Sequence, residues 1–182
     1  MSEQKEYVIK VCLCGDSAVG KTSLINQYIE NAFEEDYRPT LGANLLRKDI
    51  DFEHEGKKYH CRLVLWDLAG QEKYEMVRSL YYQGCLGAFL MYDVTRNETL
   101  DSITNVWLTD FKNNAKPMAS YVVIGNKVDL LDSRQVSTEK GKALADQIEA
   151  ADFIETSAKT GENVNQAFTT LVVNIMKKFG EI

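Results

Sequence analysis

The stretch Gly15–Thr22, with the sequence GDSAVGKT, contains the residue types that bind a phosphate group. It matches the pattern G-x-x-x-x-G-K-[ST], in which successive backbone N–H groups point at phosphate oxygens. Lys21 can reach the terminal phosphates of a nucleotide, and the Thr22 hydroxyl can bind Mg²⁺. A plain glycine turn between a strand and a helix is the alternative, but such a turn does not require the Lys-Thr pair. The stretch therefore predicts a nucleotide-binding protein.

The second informative stretch is Asn126-Lys127-Val128-Asp129, which predicts the identity of the base. A carboxylate only accepts hydrogen bonds, and guanine offers it two adjacent donors, N1–H and the exocyclic amine. Adenine would place a lone pair against Asp129 and leave a buried carboxylate unpaired. On its own this stretch also fits a simple turn after a strand. Behind a phosphate loop it favours guanine, with Asn126 joining the base site to that loop and the Lys127 stem over the ring.

Alternating apolar runs and helical patterns must position these motifs. The apolar runs predict strands over 7–14, 46–54, 59–65, 86–92, 121–124 and 153–155. Helical spacing predicts one helix after residue 21 and further helices over 100–111, 137–149 and 163–179. Gly180 is predicted to cap the last helix. The turn at Glu55-Gly56 makes the second and third strands a hairpin. The prediction is an α/β fold with a mostly parallel six-stranded sheet, one antiparallel edge strand and helices on both faces. Ligands bind such sheets at the carboxyl ends of the strands, where each polar motif falls.

Composition excludes several other classes of protein. The 182 residues suit one domain over 1–182, and the net charge of −6 without a basic block argues against nucleic acid as a partner. We expect neither a transmembrane helix nor a signal peptide, because no long apolar run is present. The four cysteines, Cys12, Cys14, Cys61 and Cys85, lack a metal-ligand spacing, so we expect buried free thiols in a reducing compartment.

The combination of GDSAVGKT, a threonine at position 40, DLAGQE, NKVD and Ser157-Ala158-Lys159 resembles the small GTPases of the Ras superfamily over about residues 7–179. The Rab branch is the most similar, through GDS in the phosphate loop, the tract WDLAGQEKYEMVRSLYYQG and MYDVT after it. The chain departs from the Rab pattern at Ala18, at Leu68 and over 41–45. The change over 41–45 alters the surface that would face effectors.

The resemblance implies GTP and GDP as ligands and Mg²⁺ as cofactor, with Thr22, Thr40 and Asp67 as the metal-binding residues. Gln71 would orient the attacking water and Lys21 would contact the transferring phosphoryl group. The Gly70 N–H and the Thr40 side chain would make contacts that exist only while a γ-phosphate is present. Loss of these contacts on hydrolysis would change residues 33–44 and 68–80 from an ordered to a disordered state. The implied nucleotide-binding residues are Gly15, Asp16, Ser17, Ala18, Val19, Gly20, Lys21, Thr22, Ser23, Phe33, Tyr37, Thr40, Gly70, Asn126, Lys127, Asp129, Ser157, Ala158 and Lys159.

The resemblance further implies a monomeric switch in membrane trafficking that works with an exchange factor, a GTPase-activating protein and effectors. Arg38 is read as a solvated loop residue and not as a catalytic arginine, so hydrolysis without a partner should be slow, on the order of 10⁻⁴ to 10⁻³ s⁻¹ as for unassisted Ras. A guanine-nucleotide-dependent scaffold with negligible hydrolysis is the alternative function. The chain ends without a prenylation cysteine. We therefore expect a cytoplasmic protein, peripheral on membranes only if a lipidated tail has been removed.

Overall fold

Six strands form one sheet in the computed structural model, which describes residues 6–31 and 40–182. In chain order they are β1 (Glu6–Cys14), β2 (Ala43–His54), β3 (Lys57–Leu68), β4 (Gly87–Asp93), β5 (Ser120–Asn126) and β6 (Asp152–Thr156). Their spatial order is β2-β3-β1-β4-β5-β6. Only the β2–β3 pair is antiparallel among the pairs of this sheet. The predicted mostly parallel sheet with one antiparallel edge strand is confirmed.

The burial of each strand follows its place in the sheet. Every residue of β4 and β5 is buried, as expected for central parallel strands that are covered on both faces. Along β2, exposed residues alternate with half-buried ones over most of the strand, because an edge strand packs only one face on the core. The polar ends of β1, β3, β4 and β5 all lie at the carboxyl edge of the sheet, where the site is built.

The helices are α1 (Lys21–Glu30), α2 (Glu75–Tyr82), α3 (Asn97–Ser102), α4 (Leu108–Asn114), α5 (Thr138–Gln147) and α6 (Val164–Lys178). A π-helical turn, Ile103–Trp107, joins α3 to α4, so residues 97–114 form one helical segment around the predicted 100–111. Short 3₁₀ turns occupy Glu72–Tyr74 and Leu131–Ser133. The residue Gly180 has a φ of +69° just beyond α6, which agrees with its predicted capping role. Helix α2 was not predicted.

Two apolar clusters cover the two faces of the sheet. Leu24 of α1 and Phe168 of α6 belong to one cluster, and Tyr82 of α2 and Trp107 belong to the other. The aromatic rings of Phe89 and Phe168 meet edge to face, with centroids 4.9 Å apart, and anchor α6 on β4. Helices therefore pack on both faces, as predicted. No helix in the described part of the chain is both long and apolar enough to cross a membrane.

All four cysteines are buried, as predicted, but two of them are not free. Cys12 of β1 forms a disulfide with Cys85, which lies just before β4, and their Cα atoms are 6.8 Å apart. The expectation of four free thiols is wrong for this pair because β1 and β4 are neighbours in the sheet and bring the two side chains together. Cys14 and Cys61 remain free. Residues 6–31 and 40–182 contain no cluster of His, Cys, Asp and Glu suited to a metal ion.

Candidate functional site

The phosphate loop lies between the end of β1 and the start of α1. Gly20 is the residue before the helix, and its φ of +100° is in the left-handed region that favours glycine. The Lys21 ammonium donates to the carbonyl oxygens of Gly15 at 2.7 Å and Asp16 at 2.9 Å, so the loop folds around it. Burial lowers the pKa of Lys21 to about 8, although the Asp67 carboxylate opposes this shift. The loop thus holds a buried amine at the N-terminus of a helix, where an anion is favoured.

Three oxygen-bearing side chains that the sequence singled out meet beside this loop. The Thr22 hydroxyl lies 2.5 Å from Asp67 Oδ2 and 3.0 Å from the Thr40 hydroxyl, which in turn lies 3.3 Å from Asp67 Oδ2. Asp67 is fully buried and its second oxygen, Oδ1, has no partner among the described residues. Burial raises the pKa of Asp67, against the hydrogen bond from Thr22 and the charge of Lys21. A set of hard oxygen donors with one unsatisfied carboxylate oxygen fits Mg²⁺.

The backbone at Gly70 lies directly against the phosphate loop. A Cβ atom at this position would be 2.4 Å from the carbonyl carbon of Asp16 and 2.4 Å from the Ser17 nitrogen. The chain is held there by β3 and by the Ala69 N–H, which donates to the Gly42 carbonyl at 2.9 Å. The next residue, Gln71, is half-buried at the bend before the 3₁₀ turn. The structure therefore brings Gly70 to the loop, and Gln71 follows it at the bend.

The Asn126–Asp129 segment begins at the last residue of β5 and contacts the loop through the Asn126 side chain. Asn126 donates from Nδ2 to the Val19 carbonyl at 2.9 Å and accepts at Oδ1 from the Thr156 hydroxyl and the Ala158 N–H. The N–H of Ala158, a residue that the resemblance assigned to nucleotide binding, thus donates to Asn126 here. The Ser157 hydroxyl donates to Asp129 Oδ1 at 2.6 Å, which orients this carboxylate.

One buried carboxylate that sequence reasoning missed joins the base motif to the phosphate loop. Asp93, at the end of β4, accepts from the Lys127 ammonium at 2.6 Å and from the Thr95 hydroxyl at 2.7 Å. It also accepts from Arg96 Nε at 3.3 Å, and Arg96 Nη2 donates to the Ser17 carbonyl at 2.8 Å. The place of Asp93 at the carboxyl end of a central strand was the signal that could have found it.

The remaining predicted residues have simpler positions. Ser23 is half-buried in α1, Ala18 has a φ of +63° in the loop, and Lys159 is exposed beyond Ala158. Phe33 and Tyr37, predicted to bind nucleotide, lie outside the described residues, as does Arg38.

Comparisons with known proteins find relatives over most of the chain. The family model described as the Ras family matches residues 10–177. The Ras-related protein RABD1 of Arabidopsis thaliana is 39% identical over 180 residues, which is 99% of this chain and 85% of that protein. The human Ras-related protein Rab-8B is 39% identical over 178 residues, 98% of this chain and 83% of its own. The Ras-related protein Rab11A of Lotus japonicus is 41% identical over 170 residues, 93% of this chain and 73% of its own.

Proposed function

The chain belongs to the Ras family, and on that premise we propose that the phosphate loop and the Asn126–Asp129 segment together form its guanine-nucleotide site. It is a Rab-like small GTPase that binds guanine nucleotide, hydrolyses GTP and acts in membrane trafficking. The observation that carries the proposal is the hydrogen bond from Asn126 to the Val19 carbonyl. That contact ties the phosphate loop to the segment that carries Asp129, the carboxylate suited to guanine.

The proposed base site has its specificity at Asp129. The Ser157 hydroxyl leaves the carboxylate able to accept from both guanine donors, N1–H and the exocyclic amine. Lys127 is held by Asp93 with its ammonium at 2.6 Å, and its aliphatic stem is the part left to cover the base. Ala158 and Lys159 follow Ser157 in the chain, and Phe33 is included in the site on the family resemblance alone.

The proposed metal site consists of Thr22, Thr40 and Asp67, supported by their mutual distances of 2.5 to 3.3 Å and by the unsatisfied Asp67 oxygen. When bound there, Mg²⁺ supplies positive charge to the β- and γ-phosphates. Thr40 and Gly70 come from the two segments that flank β2 and β3. Their contacts to a γ-phosphate would hold both segments, and loss of that phosphate would release them.

The proposed catalytic residues are Gln71 and Lys21. Gln71 orients water for in-line attack on the γ-phosphorus, and the bond to the β–γ bridging oxygen breaks as GDP leaves with its electron pair. Lys21 neutralises charge on the transferring group. Arg96 is the described arginine that contacts the loop, and its guanidinium is bonded to Asp93 and the Ser17 carbonyl. We therefore assign the missing transition-state arginine to a GTPase-activating protein, and slow turnover to the chain alone.

The partners follow from the family. The protein works with regulators and effectors, as Ras and Rab proteins do. We propose in particular an exchange factor, an activating protein and GTP-dependent effectors, a monomeric state, and a place in the cytoplasm at the surface of a membrane.

The test is a single-turnover assay with purified protein. The protein is loaded with GTP and Mg²⁺, and the bound nucleotide is followed for hours by chromatography after denaturation. Slow appearance of GDP supports a hydrolysing switch, and its arrest by a chelator supports the metal site. Intact GTP over the same period would favour the scaffold alternative. Retention of ATP as tight as that of GTP would contradict the assignment of Asp129.

A further inference from the structure

Trp107, which packs in the same apolar cluster as Tyr82 of α2, contacts the phosphate loop. Trp107 is 1% exposed, and its indole Nε1 donates to Asp16 Oδ1 at 2.7 Å. The residue closes the π-helical turn between α3 and α4, where the extra residue in the turn changes the direction of the side chain relative to a regular helix. Such π turns are frequent at functional sites. In the described part of the chain, this hydrogen bond joins the helical segment 97–114 to the loop.

The indole ring also carries a buried cation on its face. The guanidinium carbon of Arg78, in α2, lies 4.4 Å from the centroid of the Trp107 ring. The Arg78 side chain is 4% exposed, and its Nη2 pairs with Asp110 Oδ2 at 3.2 Å. Its Nε has no partner among the described residues. A guanidinium this deeply buried depends on the ring and on one carboxylate for its compensation.

Asp16 is thereby held at two points. Its carbonyl accepts from the Lys21 ammonium at 2.9 Å, and its carboxylate accepts from Trp107. The Lys21 ammonium itself lies 5.9 Å from the Trp107 centroid. A continuous set of contacts thus runs from Asp110 through Arg78 and Trp107 to the loop, and helix α2 is part of it.

We propose that Trp107 and Arg78 are positioning residues for the phosphate loop, and that they make the retention of nucleotide depend on the packing of helix α2. The proposal rests on the proposed function of the loop as the nucleotide site. The acceptor of the Trp107 N–H is a side chain of the loop itself, and Arg78 lies on the face of the same ring. A change at either residue therefore reaches Asp16 through one indole.

The test measures the dissociation rate of GDP from the Mg²⁺-bound protein at a temperature well below unfolding. Trp107→Phe keeps the aromatic ring and removes the N–H, so the hydrogen bond to Asp16 is lost. Because hydrogen bonds to a charged group are the stronger ones, we expect dissociation about 10-fold faster. Arg78→Met keeps most of the volume, removes the cation and should accelerate dissociation in the same direction. Asp110→Asn, at a half-exposed position, is expected to fold and to give a smaller increase of about 3-fold.

The chain contains a matched control in its second tryptophan. Trp66→Phe removes an identical indole N–H, which in this case has no hydrogen-bond partner among the described residues. We expect GDP to dissociate from this variant at the wild-type rate. In the same variant Trp107 is the sole tryptophan, so a change of its fluorescence on release of GDP is expected as a direct signal of the contact with the loop.

The double variant Trp107→Phe, Arg78→Met distinguishes coupling from two separate effects. If Arg78 acts through the ring, the double variant releases GDP about as fast as the faster single variant. Multiplication of the two single effects would overturn the proposal. So would wild-type dissociation rates in Trp107→Phe and Asp110→Asn. Failure of the wild-type protein to retain GDP would overturn the proposed function itself and is recognised before any variant is made.

Discussion

The Lys127 ammonium lies 2.6 Å from the carboxylate of Asp93, so two residues at the ends of neighbouring strands form an ion pair beneath the proposed base site. Asp93 is 1% exposed, while the Lys127 side chain is 31% exposed. The carboxylate also accepts from Thr95 and Arg96. The conformation of the Asn126–Asp129 segment therefore depends on a charge that the segment does not contain.

Replacement of Asp93 by Asn should destabilise the protein and alter its response to acid. Burial raises the pKa of Asp93, but hydrogen bonds from Lys127 and Thr95 outweigh it and leave the pKa below its usual value. A carboxylate with a lowered folded-state pKa stabilises the fold above its unfolded pKa, near 3.9, and this contribution is lost as the pH falls through the folded pKa. We expect Asp93→Asn to cost about 2 kcal/mol at neutral pH.

The measurement is urea unfolding at pH 7 and at decreasing pH below 4, where the difference between the two proteins should shrink. Asp49→Asn is the control, because Asp49 pairs with Arg62 at the surface and its loss should cost nothing measurable at pH 7. A difference that grows on acidification would show that the sign of the Asp93 contribution is opposite to the one assigned.

Replacement of Gln71 by Leu should slow hydrolysis of bound GTP without weakening GTP binding. The leucine keeps the size of the side chain and removes both polar atoms that could orient water. Loss of orientation costs on the order of 10²-fold in rate. The single-turnover assay measures the rate, and equilibrium dialysis measures binding. The same change at the exposed Gln147, the last residue of α5, should leave both unaltered. Hydrolysis by Gln71→Leu at the wild-type rate would remove Gln71 from the mechanism.

Replacement of Gly70 by Ala should separate nucleotide binding from hydrolysis. The new methyl group would lie 2.4 Å from backbone atoms of Asp16 and Ser17, which cannot move aside as a flexible side chain can. The segment after β3 must then shift away from the loop, and Gln71 with it. We expect hydrolysis to fall about 10²-fold while GDP still binds. Gly56→Ala, strained at a φ of +74° but with open space around it, should lower the unfolding temperature and keep the hydrolysis rate.

Replacement of Asp129 by Asn should change the preferred base. The amide oxygen can still accept from N1–H, but the amide nitrogen faces the exocyclic amine of guanine as a second donor. The affinity for GTP should fall about 100-fold, while xanthosine triphosphate, which has a carbonyl at that position, should bind more tightly than GTP. Competition binding with the two nucleotides measures the ratio. Asp132→Asn, three residues further on and exposed, should retain the preference for GTP.

The sequence predicts those parts of the site in which a short motif contains the residue types that a ligand requires. Gly15–Thr22 and Asn126–Asp129 each follow a buried strand, and parallel strands bring their ends together. Helix α2 escaped prediction because its exposed residues include Met76 and Leu80, whereas Arg78 is on the buried side. Part of its apolar surface therefore faces solvent, while a charged residue faces the core. Trp107 could be assigned to a helix, but its contact with Asp16 depends on a π turn that helical spacing does not reveal.

The edge strand β2 has a consequence for how the protein behaves when concentrated. Among the described residues no strand pairs with its outer side, and such an edge is a template on which another chain could pair and start an aggregate. The strand carries charges at five places, Arg47, Lys48, Asp49, Asp51 and Glu53. An incoming strand would have to strip water from this row of mixed charge before its hydrogen bonds could form. The strand that ends the sheet on one side thus disfavours pairing between two molecules through that edge.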